Sequence, residues 1–400
     1  MKQTIWDFYN THTVPCNVGI GIFTGLCFFI FMTPFNIAST KLGQYDIYLR
    51  IPLVAIMFCA YAAEFYQTRK IDKFLVIFNI YAFILLIATL RSHADIASAV
   101  WGRWIVTDAF IILFLLGMGK NQKFFLLSIY ITLYLMILWD ISTTWVPKGQ
   151  WGSGYENLLF GNYNYKAIYY FPALIVGYIN YIWYRNNKGI RISFFLLELL
   201  ILITLFYVGS MTSTVVFTIF IFYLNVLNRE KTFKIFNIWM YLIFNAAFFY
   251  FIVFKEYTGG LTAEILKSIG KAPTFSGRTP VWNVTKEFIA KEPLIGYGVW
   301  VPANRRLFLN DVPASTHAHN FYLNTAFESG LLGIICKGYL AGLGIQNACK
   351  IENGKIKGCL MAGLGLYLFA VMFESYHDMS FLSIIMVMYF FQTEPEQKKL

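Results

Sequence analysis

Residues 103–144 read RWIVTDAFIILFLLGMGKNQKFFLLSIYITLYLMILWDISTT. Two apolar runs, 103–119 and 124–144, flank a short basic stretch that holds Lys120 and Lys123. Neither run alternates polar with apolar residues, so neither reads as a strand of a membrane barrel. Each is close to the ~20 residues that carry a helix across a ~30 Å hydrocarbon core. The stretch therefore reads as two membrane helices joined by a basic turn.

Working outward, the same kind of run recurs at 18–37, 48–66, 74–90, 166–184, 192–209, 213–227, 235–254, 321–346, 358–373 and 379–392. Twelve spans of about 20 residues would occupy ~60% of the chain. The composition matches: 58% of the 400 residues are hydrophobic and 13% are charged, where a soluble protein carries roughly a quarter charged. Mean hydropathy is +0.56. The expected fold is an all-α polytopic membrane protein of about 12 transmembrane helices, one integral membrane domain over 1–400. The seventh and eighth runs meet at Gly209-Ser210-Met211-Thr212-Ser213-Thr214, read as a tight turn. With no small-residue cleavage site behind it, the first run reads as a retained span.

The net charge of +11 forms no basic stripe, so nucleic acid is not an expected partner. Its placement orients the spans instead. With the N-terminus in the cytoplasm, the inside loops hold Arg69, Lys70, Lys73; Lys120, Lys123; Arg185, Lys188, Arg191; Arg229, Lys231, Lys234; and Lys350, Lys355, Lys357. Short outside loops hold only pairs, such as Arg91 with Arg103. Both termini are then expected in the cytoplasm. The six scattered cysteines include no CxxC pair, so neither a disulfide framework nor a cysteine zinc site is expected.

One outside loop, 255–320, is long and polar in a chain that otherwise keeps connections short, which makes it the functional candidate. It reads as short helices, one over 261–266 and a second entered at Thr279 as N-cap with Pro280 at its first position. Val281, Trp282, Thr285, Phe288 and Ile289 form the apolar face of that second helix, and Glu292-Pro293 stops it. Arg278 beside a helix N-terminus suits an anion. Arg305 and Arg306 can add bidentate phosphate contacts. The plain alternative is that these arginines face lipid headgroups or solvent. His317 and His319 lie where the chain enters the tenth run. Three readings stand for them: a proton acceptor; a metal pair completed by Glu328, His377 or Asp378; or interfacial residues before Asn320 as helix N-cap. Asp108, Asp140 and Glu328 fall near outer span ends, and Glu64 and Glu198 near inner ones. Lys337, mid-span, calls for an acidic partner or a water-filled cavity.

Several of these segments together resemble the O-antigen ligase/polymerase superfamily, which includes O-antigen ligases and Wzy-type polysaccharide polymerases. They are Ser276-Gly277-Arg278-Thr279-Pro280-Val281-Trp282, Lys291-Glu292-Pro293-Leu294-Ile295-Gly296-Tyr297-Gly298, His317-Ala318-His319-Asn320-Phe321-Tyr322-Leu323 and Glu328-Ser329-Gly330-Leu331-Leu332-Gly333. Gly161-Asn162-Tyr163-Asn164-Tyr165-Lys166-Ala167 resembles the family's Asn-rich motif less closely.

The resemblance implies a GT-C-like fold, 255–320 as an extracytoplasmic catalytic loop, and inverting glycosyl transfer without metal or cofactor. The implied donor is an oligosaccharide on undecaprenyl pyrophosphate, and the acceptor is a sugar hydroxyl at the outer face of a bacterial plasma membrane. His319 would be the base and Arg278 the pyrophosphate clamp. Arg305, Arg306, His317, Asn320, Asn162 and Asn164 would line the substrate. A flippase and a chain-length regulator are the implied protein partners. Met211 stands where family members often carry a cation, and Lys166 or Arg103 are the candidate substitutes. The Ser-Gly-Arg-Thr and His-Ala-His-Asn pair resembles polymerases more than ligases. A lipid-linked oligosaccharide transporter is the rival of another class, but it predicts pseudo-repeats. A polyprenyl-monophosphate enzyme predicts paired acids in the first outer loop, where only Asp46 stands.

Overall fold

A computed structural model describes residues 14–34, 41–145, 159–161, 163–229, 237–255, 278–299, 317–374 and 378–392. Every apolar run falls on a helix. In chain order these are α1 (Val14–Phe31), α2 (Lys41–Thr68), α3 (Lys73–Arg91), α4 (Ser98–Thr144, opening with a π-helical turn to Ile105), α5 (Ala167–Trp183), α6 (Lys188–Val208), α7 (Met211–Phe222), α8 (Ile238–Phe248), α9 (Arg278–Lys291), α10 (Phe321–Cys349), α11 (Gly354–Ala370) and α12 (Asp378–Phe390). Tyr48–Thr68, Lys73–Arg91, Ser98–Thr144, Lys188–Val208 and Phe321–Cys349 are long and apolar enough to cross a membrane.

The opening stretch 103–144 forms two helices, as expected, here carried under the one label α4. They part at a sharp break at Asn121 (φ −154°, ψ 79°) and not at a longer loop. Gly117 permits the fold-back: a Cβ there would lie 2.1 Å from the Phe125 ring. The seventh and eighth runs do part at a tight turn. Gly209 caps α6 in the left-handed region (φ 70°), and α7 starts at Met211.

A helix that is apolar all round can bury one face in protein and show the other to lipid. In α6, Phe194, Leu197, Ile201 and Leu205 are buried, while Ile192, Phe195, Leu199 and Phe206 point outward. In α5, every residue from Ala167 to Asn180 is buried, so α5 stands at the centre. Around it α4, α6, α11 and α12 pack, and α10 packs on α3 and α12. Small residues let α11 close in, as in membrane bundles: Gly363 meets Ile175 and Phe220, and Gly365 meets Tyr241.

The helix α10 is broken at Gly330 (φ 61°, ψ −163°). The turn after α9 fills the break: Tyr297 N–H donates to Phe327 O at 2.8 Å and Gly298 N–H to Glu328 O at 2.8 Å. In return Leu331 N–H donates to Pro293 O at 2.8 Å and Leu332 N–H to Leu294 O at 3.2 Å. Backbone groups freed inside a membrane helix must find partners, and this turn supplies them. It also ties to the end of α3, where the Ser92 hydroxyl donates to Tyr297 O and Val299 N–H donates to Thr89 Oγ1.

Candidate active site

Five segments from one end of the bundle meet around Glu374, which follows α11. Each is held by its own local chemistry. Asn320 caps α10: its Oδ1 accepts from Leu323 N–H at 3.0 Å and its Nδ2 donates to Met372 O at 2.8 Å. The cap ties the start of α10 to the end of α11. Asn320 is fully buried with both ends of its amide engaged. It braces the segment that carries His317 and His319.

The Asn-rich turn sits on a buried ion pair. Lys166 and Asp140 are both fully buried and in contact, and Asp140 also accepts from Phe160 N–H at 3.3 Å. This clamp fixes the 163–166 turn and so aims Asn164 and Tyr165 at the site. Arg278 and Thr279 both lie within α9, so Thr279 is not its cap. Its fully buried Trp282 packs with Ala318, Leu323, Met372 and Phe373, which brings Arg278 to Glu374.

The side chains then converge. His319 Nδ1 lies 3.0 Å from Glu374 Oε1. Arg278 donates to Glu374 Oε2 at 3.3 Å, and Asn164 Nδ2 donates to the same oxygen at 3.3 Å. Ser210, in the turn between α6 and α7, donates to Asn164 Oδ1 at 3.1 Å. The two histidine rings lie 4.0 Å apart. His319 N–H donates to His317 Nδ1 at 3.1 Å, and the Tyr165 hydroxyl stands 3.5 Å from His317 Nε2.

His319 adopts φ 47°, a left-handed conformation uncommon outside glycine and found preferentially at functional sites. Burial, then the neighbouring His319 and Arg278, pull the His317 pKa down to about 4. His317 is thus a neutral ring at neutral pH. Burial alone would raise Glu374, but the His319 hydrogen bond and the neighbouring His319 and Arg278 hold it below the usual carboxylate range.

Donor atoms of His317, His319 and Glu374 lie within 4.8 Å of one another, close enough to share a metal. Two features bear on that arrangement. A cation there would stand against the Arg278 guanidinium. His317 Nδ1 accepts a backbone N–H, so the neutral ring keeps its hydrogen on Nε2, the atom a metal would need.

A second charged cluster lies on the same end of the bundle. Arg103 donates to Asp378 at 2.9 Å and to Glu328 at 3.4 Å. Lys337 donates to Asp378 at 2.6 Å and lies over the Tyr81 and Phe321 rings. The acidic partner expected for Lys337 is therefore Asp378. Lys166 and Arg103, the two candidates to replace a cation at Met211, are both engaged with carboxylates, and Lys166 is sealed from solvent. The Met211 turn meets the site through Ser210 and Asn164 hydrogen bonds.

The structure thus brings His319, Arg278, His317 and Asn164 together. Asn162, Arg305, Arg306, His377 and the helix expected at 261–266 lie outside the described residues. Sequence reasoning missed Glu374. It stands one residue past an apolar run, 55 positions from His319, and no local motif marks it.

No curated protein matches the chain. Residues 157–337, from the Asn-rich turn through Arg278 and His319 to Lys337, match the family model for O-antigen ligase.

Proposed function

We propose that the protein is a polysaccharide repeat-unit polymerase, building an O-antigen, capsule or exopolysaccharide at the outer face of a bacterial plasma membrane. The observation that carries the reading is the Glu374–His319 contact beside Arg278. A carboxylate on Nδ1 orients the ring and stabilises its protonated form, as in other acid–base catalysts. Nε2 is then the nitrogen for the acceptor proton. As that proton moves to Nε2, the acceptor oxygen attacks the anomeric carbon. The bond to the phosphate oxygen breaks with its electron pair, and undecaprenyl pyrophosphate departs against Arg278. Pyrophosphate is already a good leaving group, so positioning, a base and a cation suffice.

This reading needs no metal and no cofactor, and the transfer inverts the anomeric centre. It places the span count at about twelve in a GT-C-like arrangement, both termini in the cytoplasm, and 255–320 outside as the catalytic loop. Asn162, Arg305 and Arg306 would line the donor and acceptor. A flippase and a chain-length regulator would work beside it. The family description favours a second reading, a ligase that moves finished glycan onto lipid A-core, with the same donor and chemistry and a different acceptor. Electrophoresis of glycan from a deletion strain separates the two. Single-repeat glycan marks a lost polymerase, and long chains left on undecaprenyl pyrophosphate mark a lost ligase. Wild-type glycan in that strain, or in one carrying His319→Ala, overturns the enzymatic reading.

A further inference from the structure

One stripe of α10 is polar where the next is apolar. Leu323 packs with Trp282 of α9, and Phe327 packs with Val281. One residue further round, Asn324 and Glu328 follow Asn320 at intervals of four, so these three share a face about 100° from the α9 side. Arg103 meets that face from the π-helical turn that opens α4. Such turns recur at functional sites. Asn324 Nδ2 donates to Glu328 Oε1 at 3.1 Å, and Arg103 reaches the same oxygen at 3.4 Å.

Three groups here keep unused hydrogen-bonding capacity. Glu328 is 2% exposed, yet its contacts fall on Oε1, and among the described residues Oε2 accepts none. Asn324 Oδ1 is buried and accepts no hydrogen bond. Turning the amide round would not relieve it, because Nδ2 is held by a carboxylate. Arg103 has five N–H donors, and its bonds go to Asp378 and Glu328 alone. Its side chain is 27% exposed, so a ligand can reach it. Buried acceptors without a donor are rare in folded proteins and call for an explanation.

We propose that Asn324, Glu328 and Arg103 form a subsite for a neutral sugar of the acceptor glycan. It rests on reading the protein as the polymerase described above. Two acceptor oxygens and a fork of donors suit adjacent sugar hydroxyls, each of which both donates and accepts. An acidic sugar would set its own carboxylate against Glu328. The subsite lies on the acceptor's side of the reaction. Inverting transfer puts the attacking hydroxyl and the departing pyrophosphate on opposite faces of the anomeric carbon. Arg278, the pyrophosphate clamp, belongs to α9, on a different side of α10. At 1.5 Å per residue, Glu328 stands about 12 Å along the helix from Asn320. A short oligosaccharide with its end at His319 spans that distance. A site built to pair hydroxyls rejects a sugar that lacks one, so this subsite selects which acceptor is extended.

The test reads binding without requiring turnover. The probe is the repeat-unit oligosaccharide released by mild acid from the lipid-linked glycan of a deletion strain. Its dissociation constant from the full chain in lipid nanodiscs is measured by saturation-transfer NMR, beside that of inorganic pyrophosphate. A dissociation constant does not depend on how much of the sample is folded, so a low-yield variant still reports. Asn324→Leu and Arg103→Lys should each bind the oligosaccharide about tenfold more weakly, the size of one lost hydrogen bond. Both should bind pyrophosphate as the wild-type protein does, and excess pyrophosphate should not displace the oligosaccharide. Wild-type affinity for the oligosaccharide in either variant overturns the subsite, as does a wild-type protein that does not bind it. Weakened pyrophosphate binding in the variants also overturns it, and makes Arg103 an anion clamp instead. The polymerase reading fails on a different observation, wild-type glycan in the deletion strain.

Discussion

Lys337 donates to Asp378 at 2.6 Å across the packed faces of α10 and α12. Arg103 and Glu328 complete the cluster, two cations against two carboxylates. Removing one cation leaves Arg103 alone against two carboxylates; breaking a buried pair in this way costs about 3–5 kcal/mol. Lys337→Met should therefore collapse the yield of folded protein. The double variant Lys337→Met/Asp378→Asn keeps the Arg103–Glu328 pair and should recover much of it. Thermal unfolding in detergent reads the difference. Equal loss in single and double variants would show that the pair is not coupled.

Asn320→Ala removes the cap of α10 and the tie to Met372. Loss of an N-cap costs about 1–2 kcal/mol. The His317–His319 segment immediately precedes that cap, so activity should fall by more than the lost stability explains. Asn320→Asp keeps the capping oxygen and should retain more stability than alanine. Parallel melting and glycan-polymer assays check both.

Gly330→Ala should be far worse than an ordinary glycine replacement within a helix. Its φ of 61° disfavours any side chain, and a Cβ would lie 2.3 Å from the Leu294 carbonyl carbon. Strain of this kind costs of order 1–3 kcal/mol, and displacing the Pro293–Gly298 turn adds to it. Gly338 has open space around it, so Gly338→Ala on the same helix serves as the mild control. Matching melting temperatures for the two variants would count against the turn's role in the break.

Acid should loosen the site through His317. Its folded pKa is about 4, below the ordinary 6.5, so the folded state binds fewer protons than the unfolded chain between those values. Stability is fully present above about pH 6.5 and is lost as pH falls towards about 4. Glu374, also lowered, adds a loss of the same sign below its ordinary range. His317→Gln should flatten the fall in melting temperature between pH 7 and pH 4.5. A fall as steep as in the wild-type protein would remove His317 from the account.

The helices were legible because each hydropathy run is continuous and apolar, and five of the helices formed are long enough to cross a membrane. Where a boundary depended on packing, as at Asn121, composition could not tell a loop from a one-residue break that folds back on Gly117. Within the site, Arg278, His317 and His319 were legible because each stands beside a helix start, a local pattern. Glu374 and the cap-tie from Asn320 to Met372 were not. Both depend on α11 ending against the start of α10, a contact between distant parts of the chain. Asp378 was legible only as a spare metal donor, since its pairing with Lys337 requires α10 and α12 to be neighbours.

The Pro293–Gly298 turn exchanges backbone bonds with both sides of the α10 break. That makes the turn after α9 a structural part of the helix it touches and not a module hung from it. A chimera that swaps this loop for a relative's would have to bring its own partner helix, cut on both sides of Gly330. The turn and the helix must change together.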